Sequence, residues 1–128
     1  MLLVRAGWVL SLLALSAAPV FADTAGMRGG GFALQGGEAL YRGICQGCHM
    51  ADAKGASGAG TYPALAGNPK LATASYVVHI VLKGQKGMPA LGDNLSDTQV
   101  ADVVNYVRTH FGNHYKDQVK PADVQALR

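Results

Sequence analysis

The sequence predicts a small all-α domain with long loops, and three observations carry that expectation. Two stretches, Leu71–Lys83 and Val100–Phe111, repeat apolar residues at helical spacing. The chain between the helical stretches is rich in Gly, Ala, Ser and Pro, which marks loops. No segment carries a hairpin signal, an internal repeat or a convincing strand.

Along the chain, residues 1–22 (MLLVRAGWVLSLLALSAAPVFA) have the layout of a secretory signal peptide. Arg5 precedes an apolar run, and Val20 and Ala22 are small residues placed before a cut near Ala22. That run is shorter than the ~20 residues needed to cross a bilayer, so no stable membrane span is expected after cleavage. The remainder suffices for one compact domain. Residues 23–36 are glycine-rich and read as a flexible leader.

A first helix is expected from Gly37, with Leu40, Tyr41 and Ile44 on one face running into Cys45 and Cys48. Ala51–Gly67 reads as loop. Leu71–Lys83 should be a helix that is apolar almost all round, broken by Gly84-Gln85-Lys86-Gly87-Met88-Pro89. Ser96 and Gln99 form a capping box for the next helix, whose Val100, Val103, Val104, Val107 and Phe111 recur before Gly112. Pro121 suits the first position of a short helix within the C-terminal extension, residues 113–128.

The chain has a formal net charge of +3 and no concentrated basic stripe, so nucleic-acid binding is not indicated. Its only two cysteines lie in Cys45-Gln46-Gly47-Cys48-His49. A redox dithiol of thioredoxin type needs a strand entering a helix, and no strand is expected. Zinc wants a second ligand pair, which His79, His110 and His114 do not supply at the right spacing. A disulfide is permitted in an exported protein, but it would close a very short loop and leave His49 unexplained. One covalent haem c accounts for the whole motif. On a helix, Cys45 and Cys48 reach two vinyl groups along one edge, and His49 comes under the iron as the proximal ligand. Gly47 avoids crowding the ring. Because the porphyrin would supply apolar surface that a thin core lacks, the chain without haem is expected to fold poorly.

With these residues in view, the chain resembles class I (monohaem) cytochromes c over about residues 37 to 112. The resemblance implies a small cytochrome c-like helical domain with long loops wrapped around one haem. It implies that Gly37 lets the last helix cross closely beside Tyr41, and that Val103 and Tyr106 return the contact. Pro63 and Leu65 match the haem-pocket loop whose proline carbonyl accepts a hydrogen bond from the proximal histidine, here His49. Met88, in Gly87-Met88-Pro89, matches the second axial ligand. Met50 follows His49 on the same side, and His79 reads as a core histidine within an apolar helix.

His/Met ligation leaves no open position and raises the potential, which favours electron transfer over catalysis. The stretch Pro63-Ala64-Leu65-Ala66-Gly67-Asn68 resembles the small cytochrome c subunits of periplasmic dehydrogenases. So do Phe111-Gly112-Asn113, Val119, Ala122-Asp123-Val124 and Leu127-Arg128. The resemblance implies a periplasmic carrier that is not itself an enzyme. It would accept electrons from a quinoprotein, flavoprotein or molybdenum dehydrogenase and pass them to a downstream cytochrome or oxidase of the respiratory chain. The alternative is a freely diffusing shuttle between a respiratory complex and a terminal oxidase. A small peroxidase or gas sensor would require Met88 to be absent or labile. Residues 50–92 hold Lys54, Lys70, Lys83 and Lys86 against Asp52 alone, so a positive field is expected on the haem side.

Overall fold

In the computed structural model, which describes residues 27–28 and 31–128, the first helical rod runs from Gly37 to His49. It joins three pieces: α1 (Gly37–Leu40), a π-helical segment (Tyr41–Cys45) and α2 (Gln46–His49). Its place is set by its crossing with α4 (Asp97–Thr109). A Cβ at Gly37 would run into the Asp102 carbonyl and the Tyr106 side chain, so only glycine lets the two backbones meet there. Beside the crossing, the Tyr41 ring lies 5.8 Å from that of Tyr106 and 4.8 Å from that of Phe111. Val103 is buried in the same contact, as expected.

Both sequence-predicted helix signals on α4 are realised. Ser96 Oγ accepts from the Gln99 N–H, and Gln99 Oε1 accepts from the Ser96 N–H at 2.9 Å. Phe111, however, does not continue the helix. The chain becomes extended at His110 and turns left-handed at Phe111, φ 57°. The helix stops because Asn113 Nδ2 takes the Val107 carbonyl, while the Phe111 ring turns back onto Tyr41.

The expected helix from Leu71 starts later. Pro69–Ala72 forms a 3₁₀ turn, opened by the Asn68 side chain accepting from the Lys70 N–H. After extended Thr73, α3 covers Ala74–Lys83. Its all-round apolarity has a structural reason: Val77, Val78 and Leu82 are buried, and Ile80 and Val81 line a cavity. A last helix, α5 (Pro121–Gln125), rests on α4 with Val124 fully buried.

Two findings correct the sequence reading. Short strands do occur, as antiparallel ribbons β1 (Met27–Arg28) with β2 (Gly31–Phe32) and β3 (Ala56–Ser57) with β4 (Thr61–Tyr62). The registers pair Met27 with Phe32 and Ala56 with Tyr62. In addition, the second half of the expected flexible leader is bound. Gln99 Nε2 donates to the Phe32 carbonyl at 2.7 Å and the Leu34 carbonyl at 2.9 Å, and both side chains pack on the core. One helix-capping glutamine thus also holds the incoming strand. The expected signal peptide lies outside the described residues. No helix among the described residues is long and apolar enough to cross a membrane.

Arg108, fully buried on α4, ties the outer layers together. Its guanidinium donates to the carbonyls of Leu71 and Ala72 and forks onto both carboxylate oxygens of Asp117 at 2.7 and 2.8 Å. The hydrogen bonds from Arg108 hold the Asp117 carboxyl below its ordinary value. A carboxylate with a depressed folded-state pKa contributes stability above its unfolded pKa, ~3.9, and loses it as pH falls through the folded value. Stability should therefore decline on acidification below about pH 4, and Asp117→Asn should be less stable near neutrality and less acid-sensitive. Denaturant melts across this pH range check the point; the same acid slope in both proteins would contradict it.

Candidate functional site

The rod, α3, α4 and two loops enclose a cavity of about 520 Å³, within the range of small-molecule pockets. Its lining is mostly apolar, including Leu40, Ile44, Ile80, Val81, Val103 and Val104. Cys45, Cys48, His49, Pro63, Leu65 and Met88, singled out from the sequence, all reach it. They come from three separate parts of the chain.

The first part is the end of the rod. Cys45 is half-buried and Cys48 exposed, and both are free thiols. Burial, with a smaller effect from Cys48, pushes the Cys45 thiol up to about 11. A thiol so firmly protonated is a poor nucleophile, the reverse of what a redox dithiol requires. Among the described residues no cluster of three or more His, Cys, Asp or Glu is placed to hold a metal ion. A Cβ at Gly47 would meet nothing, so the protein's own packing does not demand glycine there. His49 is 7% exposed, and its Nδ1 lies 2.9 Å from the Pro63 carbonyl. A carbonyl only accepts, so Nδ1 carries a proton, and in the neutral ring Nε2 keeps the lone pair. The rod ends just beyond, where Met50 turns left-handed and its carbonyl accepts from Tyr41 Oη at 2.7 Å. Burial pushes the Tyr41 phenol up to about 12, so it remains a donor.

The second part is the loop carrying Pro63 and Leu65. Gly55, at φ 68°, lets it approach. A Cβ there would strike the Tyr62 carbonyl and come within 2.8 Å of Pro63 C and 2.9 Å of Ala64 N. Farther along, Asn113, 3% exposed, donates to the Leu65 carbonyl and accepts from the Asn68 N–H at 3.0 Å. The Leu65 and Ala66 amides both donate to the Ala53 carbonyl. The Pro63 carbonyl is therefore fixed from both directions.

The third part is the strap between α3 and α4. Gln85 and Met88 exchange main-chain hydrogen bonds of 3.0 and 2.9 Å across the turn Lys86-Gly87. Gly84, φ 70°, ends α3, and a Cβ there would lie 2.7 Å from Ala90 N and against the Met88 carbonyl. The strap is laid back on α3 by the Leu91 amide to Val81 and the Gly92 amide to Leu82. Met88 is half-buried.

The competing ligands separate clearly. His79 is exposed and does not line the cavity, so it is neither a core histidine nor placed to compete with Met88. Met50 does not line it either. Lys54 and Lys83 depart from the expected haem-side lysines, because neither lines the cavity: Lys54 pairs with Asp52, and Lys83 Nζ donates to the Arg128 carbonyl. Lys70 and Lys86 do line it, beside the exposed rings of Tyr62 and Tyr76. Sequence reasoning read Gly84 only as a helix breaker and assigned no role to Gly55, Arg108 or Asn113. Asn113 stood in the Phe111-Gly112-Asn113 match, and the others were visible only as unexplained residues in loops and a helix.

These residues fit a covalently held haem. An apolar cavity carries two thiols, an imidazole with one ring nitrogen fixed and the other free, and a thioether. The family model described as cytochrome c oxidase, cbb3-type, subunit III matches residues 32–107. The chain belongs to this family of cytochrome c domains, whose cofactor is covalently bound haem c and whose task is electron transfer. It is 38% identical over 109 residues to the gluconate 2-dehydrogenase cytochrome c subunit of Pantoea cypripedii, covering 73% of this chain and 24% of that protein. It is 36% identical over 92 residues to the fructose dehydrogenase cytochrome subunit of Gluconobacter japonicus, covering 60% and 19%. Against the cytochrome c subunit of the quinone alcohol dehydrogenase of Gluconobacter oxydans (strain 621H), identity is 34% over 118 residues, covering 82% and 24%. The chain spans about a quarter or less of the length of these curated relatives.

Replacing Gly55 tests how the proximal loop is held. Gly55→Ala should force Pro63 away from His49 and destabilise the haem-loaded protein by ~1–3 kcal/mol in denaturant melts. An unchanged midpoint would mean that the loop's approach is not constrained at this point.

Proposed function

We propose that the chain is a one-electron carrier in which Cys45 and Cys48 hold haem c through thioethers and His49 and Met88 are its axial ligands. Pro63 and Leu65 complete the pocket. The observation that carries this reading is the His49–Pro63 hydrogen bond, which leaves Nε2 as the free nitrogen of a residue lining the cavity with Cys45, Cys48 and Met88. Bound there, the haem supplies reversible one-electron chemistry.

The chain's own residues do the rest. Pro63 orients the His49 ring and, by accepting its proton's hydrogen bond, strengthens it as a donor. Val81, Val103 and Val104 exclude water from the cavity. Met88 would supply a soft thioether ligand, which raises the potential. Held by both His49 and Met88, the haem iron would have no position left for a substrate.

The dehydrogenase subunits among the relatives support a dehydrogenase as electron donor; we place that donor in the periplasm and a cytochrome or oxidase downstream. The exported start read from residues 1–22 supports the same compartment. Lys70 and Lys86 at the cavity mouth give a positive rim, and Tyr62 and Tyr76, 44% and 38% exposed, give it an aromatic surface.

Two experiments test this reading. Met88→Ala should abolish the weak far-red sulfur-to-iron band of the oxidised protein, lower its potential and admit carbon monoxide to the reduced form. A spectrum unchanged by the substitution would move the ligand elsewhere. Separately, Lys70→Glu with Lys86→Glu should slow reaction with the donor and leave the spectrum intact. The wild-type reaction should slow as salt rises from 0.01 M to 0.1 M, where the Debye length shrinks from ~30 Å to ~10 Å. A rate indifferent to both changes would assign docking to the tyrosine rim alone.

A further inference from the structure

We infer that Arg128 is a positioning residue for Met88, clasping both ends of the strap that carries it. The inference rests on the reading of Met88 as an iron ligand. The strap leaves α3 at Lys83 and enters α4 at Asp97. Arg128 touches both of these residues. Lys83 Nζ donates to its main-chain carbonyl at 2.8 Å, and its own Nε donates to the Asp97 carboxylate at 2.6 Å.

Between the two ends the same guanidinium reaches into the strap. Nη1 donates to the Gly92 carbonyl at 2.6 Å and Nη2 to the Leu95 carbonyl at 2.8 Å. Three nitrogens of one planar fork thus meet three acceptors, an arrangement that a lysine cannot reproduce. Two of the acceptors, the Gly92 and Leu95 carbonyls, belong to the strap's second half, where Leu91 and Leu95 line the cavity beside Met88, and the third, Asp97, opens α4.

Each contact alone is modest. The ion pair is about one-third exposed, with side chains 35% and 29% accessible, and such a pair adds little to global stability. The effect lies in where the contacts act. The first half of the strap has the Gln85–Met88 turn and the Gly84 approach to hold its shape. The second half is tied to α3 through the amides of Leu91 and Gly92, and Arg128 adds a grip on the carbonyl side of Gly92. Releasing that grip should let the strap lift as a unit while the helices stay folded, which is local opening of a low-stability segment.

The test uses the haem-loaded protein in its oxidised form, with imidazole as the probe. Imidazole displaces methionine only when the strap opens, so its binding rate, followed by loss of the far-red band, reads that opening. Arg128→Ala should bind imidazole about tenfold faster or more, since hydrogen bonds from a charged group are among the stronger ones. Arg128→Lys should fall between wild type and Arg128→Ala. On heating Arg128→Ala, the far-red band should disappear well before the far-ultraviolet helical signal.

An unchanged imidazole rate in Arg128→Ala, or a band and a helical signal that melt together, would overturn the proposal. If Arg128→Ala does not fold, Arg128→Lys and Asp97→Asn carry the same comparison, and unaltered rates in both would overturn it. A band that survives in Met88→Ala overturns the ligand reading and this inference together. A band abolished in Met88→Ala, with an unchanged Arg128→Ala rate, overturns this inference alone.

Discussion

Much of the apolar surface of α3 and α4 faces inward onto a space that no side chain among the described residues fills. Ile80, Val81, Val103 and Val104 line it, while the core beside it is built from small residues such as Val78, Val100 and Val124. A chain of this size has little apolar burial to spare, and dispersion contacts are lost wherever a wall has no partner. The fold is therefore completed by what occupies the cavity. The proposed covalent attachment at Cys45 and Cys48 would suit that dependence, because a tethered group cannot dissociate and leave the walls bare.

That dependence explains the division of labour between helices and loops. Helices supply the walls and the rigid base: the rod delivers two thiols and an imidazole as one unit, held at the Gly37 crossing and by the Tyr41 hydrogen bond to Met50. Loops supply the remaining functional groups, and each is held by side chains distant in sequence. Asn113 grips the Pro63–Leu65 loop, Arg108 the 3₁₀ turn that follows, and Arg128 the Met88 strap. All three lie at or beyond the end of α4. The C-terminal segment therefore works as a set of clasps on the loops around the cavity.

Much of this was legible in the sequence, for identifiable reasons. The α4 cap and stripe are local patterns, and the Cys45–His49 spacing encodes a shared helix face, so both could be read without tertiary knowledge. The resemblance brought Pro63 and Met88 into view, and the structure sets both at the cavity. Other features depended on distant partners. Nothing near Phe32 reveals that Gln99, a capping residue, would bind its carbonyl. Phe111 continued the helical period, yet aromatic packing on Tyr41 and the capping of Val107 by Asn113 drew it out of the helix. His79 read as core because its neighbours are apolar, but those neighbours serve two different faces, and the histidine lies on the exposed third. The two ribbons are too short to leave an alternating pattern.

Covalent haem at the Cys45–His49 motif would complete the fold. Intact mass and a pyridine-haemochrome spectrum on the purified protein test it most directly. The account predicts a thioether-type spectrum and a mass equal to the processed chain plus one haem. A well-folded protein with a Cys45–Cys48 disulfide and no haem would contradict it.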